Sequence, residues 1–173
     1  MHPGAFEFIG RYATEDDITI VEVGSRDING SARVHFPRAR WTGLDLYPGP
    51  AVDHVGNGLD YDPSDAVDMV VIAEVFEHCP YWQKLLHHVS HWLKPGGKII
   101  ITCAGPGREP HSALDGGELK LGEHYANVTA RELSDALHSA GLIEIEVSGN
   151  EYWRDTYGIA TKAWLRPVEA VDK

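Results

Sequence analysis

Between about residues 18 and 148 this chain alternates short apolar runs, crowded with β-branched residues, with segments of helical period, and that alternation constrains its fold more than any other feature. Apolar runs without a polar face suit strands buried on both sides, and such strands lie between helices in parallel sheets. The pattern predicts an α/β architecture, a mostly parallel sheet with crossover helices. A length of 173 residues is enough for one compact domain spanning 1–173 and leaves little for a second.

Residues 1–17 read as a helical lead-in. The first strand, Ile18-Thr-Ile-Val-Glu-Val-Gly24, stops at glycine, and Asp27 is placed to cap a short helix running to Phe36 before Pro37. A second strand, Trp41 to Leu46, is closed by Tyr47-Pro-Gly-Pro50, and a third is expected around Ala51 to Val55. Asp68 to Val75 is the best central-strand candidate. After Pro80, residues Trp82, Leu85, Leu86, Val89, Trp92 and Leu93 draw one helical stripe. Lys94-Pro-Gly-Gly97 then breaks the helix and turns the chain into a buried strand, Lys98 to Cys103.

Residues 105–127 hold five glycines and two prolines without periodicity, the mark of a functional or disordered loop and here the expected substrate loop. Thr129-Ala-Arg-Glu132 is a capping box. It opens a helix whose buried face is Leu133, Ala136, Leu137 and Ala140, ended by Gly141. Two last strands, Leu142 to Val147 and about Tyr157 to Leu165, suggest an antiparallel pair with Trp153 in the connection.

A formal charge of −11 repels phosphate backbones, which argues against a general nucleic-acid binder; Arg33, Arg38 and Arg40 are close in sequence and leave room for a local basic patch. Cys79 and Cys103 are too few for a disulfide framework or a four-thiolate zinc site and read as buried thiols. No apolar run approaches the ~20 residues of a spanning helix, and no basic-then-apolar signal pattern opens the chain, so a cytoplasmic protein is expected.

Open parallel sheets bind ligands beyond the carboxyl ends of their strands. There the sequence is polar: Gly24, Ser25, Arg26 and Asp27 after the first strand, Asp45 at the second, Asn57 after the third, Glu74 and Glu77-His78 after the fourth. Gly24 lets backbone approach a ligand, and an ionised Glu22 inside the strand end needs a partner. Asp45, roughly 20 residues beyond the first glycine, is placed to accept both hydroxyls of a ribose; a plain turn-forming Asp before Tyr47-Pro48 is the alternative. Gly24-Ser-Arg-Asp-Ile-Asn-Gly30 lacks the middle glycine that admits a pyrophosphate, and no Walker loop is present. A nucleoside ligand without phosphates fits better than a dinucleotide or nucleoside triphosphate.

Val21-Glu-Val-Gly24, Gly43-Leu-Asp-Leu46, Ala73-Glu-Val-Phe-Glu-His78 and Leu93-Lys-Pro-Gly-Gly-Lys-Ile-Ile-Ile-Thr102 together resemble the successive motifs of class I S-adenosylmethionine-dependent methyltransferases of the type 11-like kind. The resemblance implies a Rossmann-like, doubly wound, mostly parallel seven-stranded sheet with an antiparallel C-terminal strand pair and helices on both faces. It implies S-adenosyl-L-methionine as cofactor and S-adenosyl-L-homocysteine as product. Glu22 and Gly24 would neighbour the methionine portion, Asp45 the ribose and Leu46 the adenine, with Ser25 also in the cofactor site. Asn57 stands where the family often has an Asp facing the adenine amine, and Glu74 completes the cofactor set. Ser25-Arg26-Asp27 replaces the usual glycine-rich sequence.

Glu77-His78 would meet cofactor and substrate or else cap the next helix; His124-Tyr125 would contact substrate or lie on a surface loop. His78 and His124 are the candidate bases if the acceptor must lose a proton. His87, His88 and His91 sit largely off the apolar stripe and read as solvent-facing, with no metal expected.

The leading function is methyl transfer to oxygen or nitrogen of a small molecule by direct displacement, since the leaving group is already activated and alignment is the main requirement. DNA is disfavoured, because no Asp/Asn-Pro-Pro-aromatic motif follows the fourth strand; RNA or protein acceptors are less favoured than small molecules. A non-catalytic domain of the same fold is the alternative, and a nucleotide oxidoreductase a third.

Overall fold

The computed structural model describes residues 1–164 of the chain. Helix α1 spans Pro3–Gly10, with His2 as its N-cap. Then follow β1 (Thr19–Val23), β2 (Arg40–Asp45), β3 (His54–Val55) and β4 (Val67–Ala73). Helix α2 (Trp82–Ser90) leads to β5 (Leu93–Ala104), and α3 (Ala130–Ser139) to β6 (Leu142–Asn150) and β7 (Asp155–Lys162). One seven-stranded sheet has the order β3-β2-β1-β4-β5-β7-β6, parallel throughout except for the antiparallel β5-β7 and β7-β6 pairs.

Strand alternation sends side chains to two separate cores. Val21, Val23, Val70, Ile72, Ile99 and Ile101 pack against α2 and α3, whose Leu85, Leu86, Val89, Leu133 and Leu137 are buried. Ile20, Met69, Val71, Ile100 and Ile159 face Phe8 and Ile9 of α1 together with Ala32 and Phe36. Helices therefore cover both faces, as the apolar strands require. Helix α3 starts with both halves of its capping box formed, an arrangement typically worth ~1 kcal/mol.

Three expectations change. The helix from Asp27 to Phe36 is absent; only a single 3-10 turn, Ala32–His35, forms, and its cap is Ser31. Asp27 makes the side-chain bond of a cap, accepting the Gly30 amide three residues on at 2.7 Å, but the turn it closes stands alone. The run Asp27-Ile-Asn-Gly-Ser31 offers local turn bonds that compete with a helix, and Pro37 leaves no length to recover one. The Lys94-Pro-Gly-Gly97 break lies inside β5 rather than before it: Leu93 pairs with Val67 and Lys98 with Met69, so the intervening residues loop out. A Cβ on Gly97 would sit 2.9 Å from the Lys94 carbonyl oxygen, which is why the loop can be so tight. The third change concerns Cys79, which is only partly buried, whereas Cys103 is fully so. Strand β7 ends at Lys162, and the expected strand end at Leu165 lies outside the described residues.

Arg33 and Arg38 do not form a basic patch with free charge, since they pair with Asp53 at 3.1 Å and Asp17 at 2.6 Å. Among the described residues no helix is long and apolar enough to cross a membrane.

At the amino ends of the central strands, the Asp68 carboxylate accepts the Thr19 amide (2.8 Å), the Thr19 hydroxyl (2.7 Å) and the Lys94 ammonium (2.8 Å), tying β1, β4 and β5 together. Burial pushes this carboxyl up, but the hydrogen bonds from Lys94 and Thr19 outweigh it and hold the group at about 2, below its ordinary 3.8. A lowered folded-state value favours the native state above the unfolded value and loses that support as pH falls through the folded one. Asp68→Asn should therefore lose stability at neutral pH, and the gap to wild type should narrow between about pH 4 and about pH 2, measured by denaturant unfolding across that range.

Candidate functional site

Because the chain runs outward from β1 through β2 to β3 and then returns to β4 beside β1, the carboxyl ends of β1 and β4 diverge and leave a crevice. A cleft of about 330 Å³ occupies that place. Its walls include Glu22, Gly24, Ser25 and Arg26 from β1 and its turn, Asp45, Leu46 and Tyr47 from β2, Asn57, and Glu74 and His78 beyond β4.

Gly24 has φ +78° and donates its amide to the Leu44 carbonyl at 2.8 Å, as Ser25 does at 2.9 Å. A Cβ there would lie 2.2 Å from Val75 Cγ2, so the turns after β1 and β4 approach each other only because this residue is glycine. Asp45 combines both readings of its sequence position. It accepts the Tyr47 amide on Oδ1 (2.9 Å) and the Arg26 amide on Oδ2 (3.2 Å), organising both turns, yet it lines the cleft with lone pairs to spare. Asn57 is exposed, and its side-chain oxygen accepts the Leu59 amide at 3.0 Å, capping a 3-10 turn, Gly58–Asp60. Leu46 is 62 % exposed at the rim.

Arg26, the least expected residue of the first turn, bridges two loops. Its Nη2 donates to the Leu114 carbonyl at 2.8 Å, and its guanidinium lies 5.5 Å from the Tyr47 ring centroid. The 105–127 segment is thereby pinned to the β1 turn, with Ala113 at the cleft wall. No sequence signal marks that contact, because 88 residues separate its ends.

The site is rich in buried acid. Glu22 is 3 % exposed and its Oε2 has no hydrogen-bond partner. Burial pushes its carboxyl up to about 8, against the pull of Arg33 and with a further push from Asp27. Glu74 has φ +58°, a strained geometry for a non-glycine residue that typically costs about 1–3 kcal/mol. Its Oε1 accepts the Thr102 hydroxyl at 3.0 Å, and burial together with the nearby Asp155 charge raises its pKa.

Beyond Glu74 lies a polar cluster that sequence reading missed. Fully buried Asp155 accepts from Arg108 Nη1, sits 2.6 Å from His2 Nε2 and accepts the Tyr157 hydroxyl at 2.8 Å. These residues span most of the chain, and only the β5-β7-β6 end of the sheet brings them together.

Of the substrate-side candidates, His78 lines the cleft while Glu77 is completely buried behind it. Burial, then the neighbouring His111, push the His78 imidazole down to about 4. Tyr125 packs against His78 at 5.4 Å between ring centroids. His124 is exposed and outside the cleft wall, although its backbone and ring both act on His78, and His111 packs edge-on against the His78 ring at 5.0 Å between centroids. His87 and His91 are exposed on α2.

A profile described as methyltransferase domain matches residues 6–147. The chain belongs to this methyltransferase domain family. A ubiquinone biosynthesis O-methyltransferase from Paramagnetospirillum magneticum is 28 % identical over 153 residues, covering 80 % of this chain and 58 % of that protein. This methyltransferase domain thus spans less than two thirds of that curated relative's length. Among solved structures, the Burkholderia thailandensis 1,6-didemethyltoxoflavin-N1-methyltransferase with S-adenosylhomocysteine bound aligns with a TM-score of 0.67 at 15 % identity, over 94 % of this chain and 78 % of its own. The Haemonchus contortus phosphoethanolamine N-methyltransferase 2 in complex with S-adenosyl-L-methionine aligns with a TM-score of 0.66 at 16 % identity, over 93 % of this chain and 52 % of its own. Both share the fold.

The raised pKa of Glu22 couples this methyltransferase domain's stability to pH. The folded state holds a proton that the unfolded chain gives up near pH 4.5, so the residue's contribution is complete below that pH and is lost as pH rises toward about 8, by up to about 1.4 kcal/mol per unit. Glu22→Gln should remove that slope: relative to wild type, its unfolding free energy should rise progressively from about pH 5 to about pH 8 in parallel denaturant titrations.

Proposed function

We propose that this methyltransferase domain transfers a methyl group from S-adenosylmethionine to an oxygen or nitrogen of a small-molecule acceptor by direct displacement. The observation that carries the reading is the Asp45 carboxylate at the end of β2, facing the same cleft as the positive-φ turn at Gly24.

The residues fit such a cofactor chemically. Glu22 Oε2 and Ser25 Oγ are buried without partners, and Glu74 and Asp45 add two further carboxyl groups to the walls. A ligand bearing an ammonium and a sulfonium favours the ionised form of Glu22 and Glu74 and is thereby attracted to such a wall, whereas a diphosphate is repelled by the Asp45 charge. Glu22, Gly24 and Ser25 would hold the methionine end, Asp45 the ribose hydroxyls, and Leu46 and Asn57 the adenine, with Glu74 closing the β4 side. When bound, S-adenosylmethionine supplies an activated methyl group on a positively charged sulfur.

The chain's own contribution is then placement. The 105–127 loop, held at Leu114 by Arg26, forms the outer wall and, with His78 and Tyr125, borders the acceptor side. Alignment of acceptor and donor within such a walled cleft lowers the barrier more than any single side chain needs to. Glu77 is buried next to His78 in the chain, and exposed His124 precedes Tyr125 on the same loop, with its backbone at the His78 ring.

Calorimetry with S-adenosylhomocysteine and S-adenosylmethionine tests the reading, which fails if the folded protein binds neither. Asp45→Ala should weaken S-adenosylhomocysteine binding by about 1–3 kcal/mol through loss of charge-assisted hydrogen bonds, with folding verified by circular dichroism. An unchanged affinity would remove Asp45 from the site.

A further inference from the structure

We infer that Glu77, His78 and His111 form a binding site for a divalent transition-metal ion, at the wall where the segment after β4 meets the 105–127 loop. Each offers one donor atom, and the three atoms lie within 4.8 Å of one another.

Polar satisfaction around Glu77 points the same way. Its carboxylate is fully buried, and neither oxygen has a hydrogen-bond partner, although the backbone amides of Glu77 and Ala104 lie nearby without reaching bonding geometry. The ring Nδ1 of His78, the Tyr125 hydroxyl and the Asn127 side-chain oxygen are also buried and unpartnered. Buried polar groups are nearly always satisfied, so four neighbouring residues lacking partners mark a place where something else supplies the bonds. The rings of His78, His111 and Tyr125 stand 5.0–5.4 Å apart, edge to face, around that place.

A second acidic group nearby provides the contrast. His2, Glu74 and Asp155 also bring three donor atoms together, but the Arg108 guanidinium already bonds Asp155 and lies 3.9 Å from Glu74. A resident cation is built into that cluster. Glu77, by contrast, forms no ion pair with a guanidinium or ammonium among the described residues, and Arg108 acts on it only from a distance.

Two imidazoles and one carboxylate select an ion of the zinc, cobalt or manganese kind over magnesium or calcium, which prefer oxygen. Three ligands around zinc stand about 3.3 Å apart, so binding draws the donors inward by roughly 1 Å, a shift that His111 on its irregular loop is placed to make. The ion would keep open positions, and His78 already borders the cleft from which they would be reached. This inference rests on the donor set and stands independently of methyl transfer.

The test is spectroscopic titration of untagged, chelator-stripped protein with Co²⁺, followed by Zn²⁺ competition. One Co²⁺ per chain should bind, with visible d–d absorption that Zn²⁺ abolishes. His111→Ala should weaken binding at least about 10-fold, and Glu77→Gln likewise if it folds. His91→Ala, which removes one of the exposed helical pair, should change nothing. The inference is overturned if the folded protein takes up no stoichiometric Co²⁺, or if His91→Ala abolishes uptake that His111→Ala leaves intact. Measuring S-adenosylhomocysteine affinity on the same metal-free samples separates this outcome from failure of the cofactor reading.

Discussion

Strands β1 and β4 lie side by side in the middle of the sheet, in register from Ile20 with Met69 to Val23 with Ile72, and the rest of the molecule depends on that pairing. Both are buried on both faces, which forces helices onto each side and makes any polar residue without a partner costly. At their amino ends Asp68 supplies such partnership by gathering Thr19 and Lys94. At their carboxyl ends the chain departs in opposite directions, toward β2 from β1 and toward α2 from β4, and the crevice between the departures is the cleft. The Gly24 turn sets how close the two departures come, because Val75 occupies the space a side chain would need.

The cleft concentrates features that cost stability. Glu22 is buried with an unpartnered oxygen, Glu74 adopts a left-handed backbone, and Ser25 has a buried hydroxyl with nothing to bond. Surplus buried acid and backbone strain persist where the surrounding structure holds them, and they cluster where a ligand completes the arrangement. The two acidic clusters beyond β4 differ in this respect. The Asp155 cluster is closed by Arg108, His2 and Tyr157 and ties α1 to β7, whereas the Glu77 cluster has no such closure.

Much of the fold was legible because local signals and tertiary demands agree. The β-branched runs became strands, the stripe from Leu85 to Val89 became the buried face of α2, and Thr129 with Glu132 formed the cap that their spacing announced. Legibility failed where two local options compete. Asp27 makes a cap's bond to the amide three residues on, but that amide belongs to Gly30 at φ +123°, so the turn it closes does not continue as a helix. Lys94-Pro-Gly-Gly97 read as a break before a strand, and only pairing with both Val67 and Met69 made it an outlooped segment within one.

For the site, strand ends were enough to nominate Glu22, Gly24, Asp45 and Glu74, since their positions follow from where apolar runs stop. What the sequence by itself determined is the alternation of buried strands and amphipathic helices, and with it the sheet edge along which polar residues collect. Only the tertiary structure decided which distant residues face one another there: Arg26 on Leu114, Arg108 on Asp155, and His111 and Tyr125 around His78. The physical reason is that strand and helix patterns are written in neighbours two to four residues apart, while the conformation of the aperiodic 105–127 loop is set by long-range hydrogen bonds such as Ala126 to Glu77 and Val128 to Ala104.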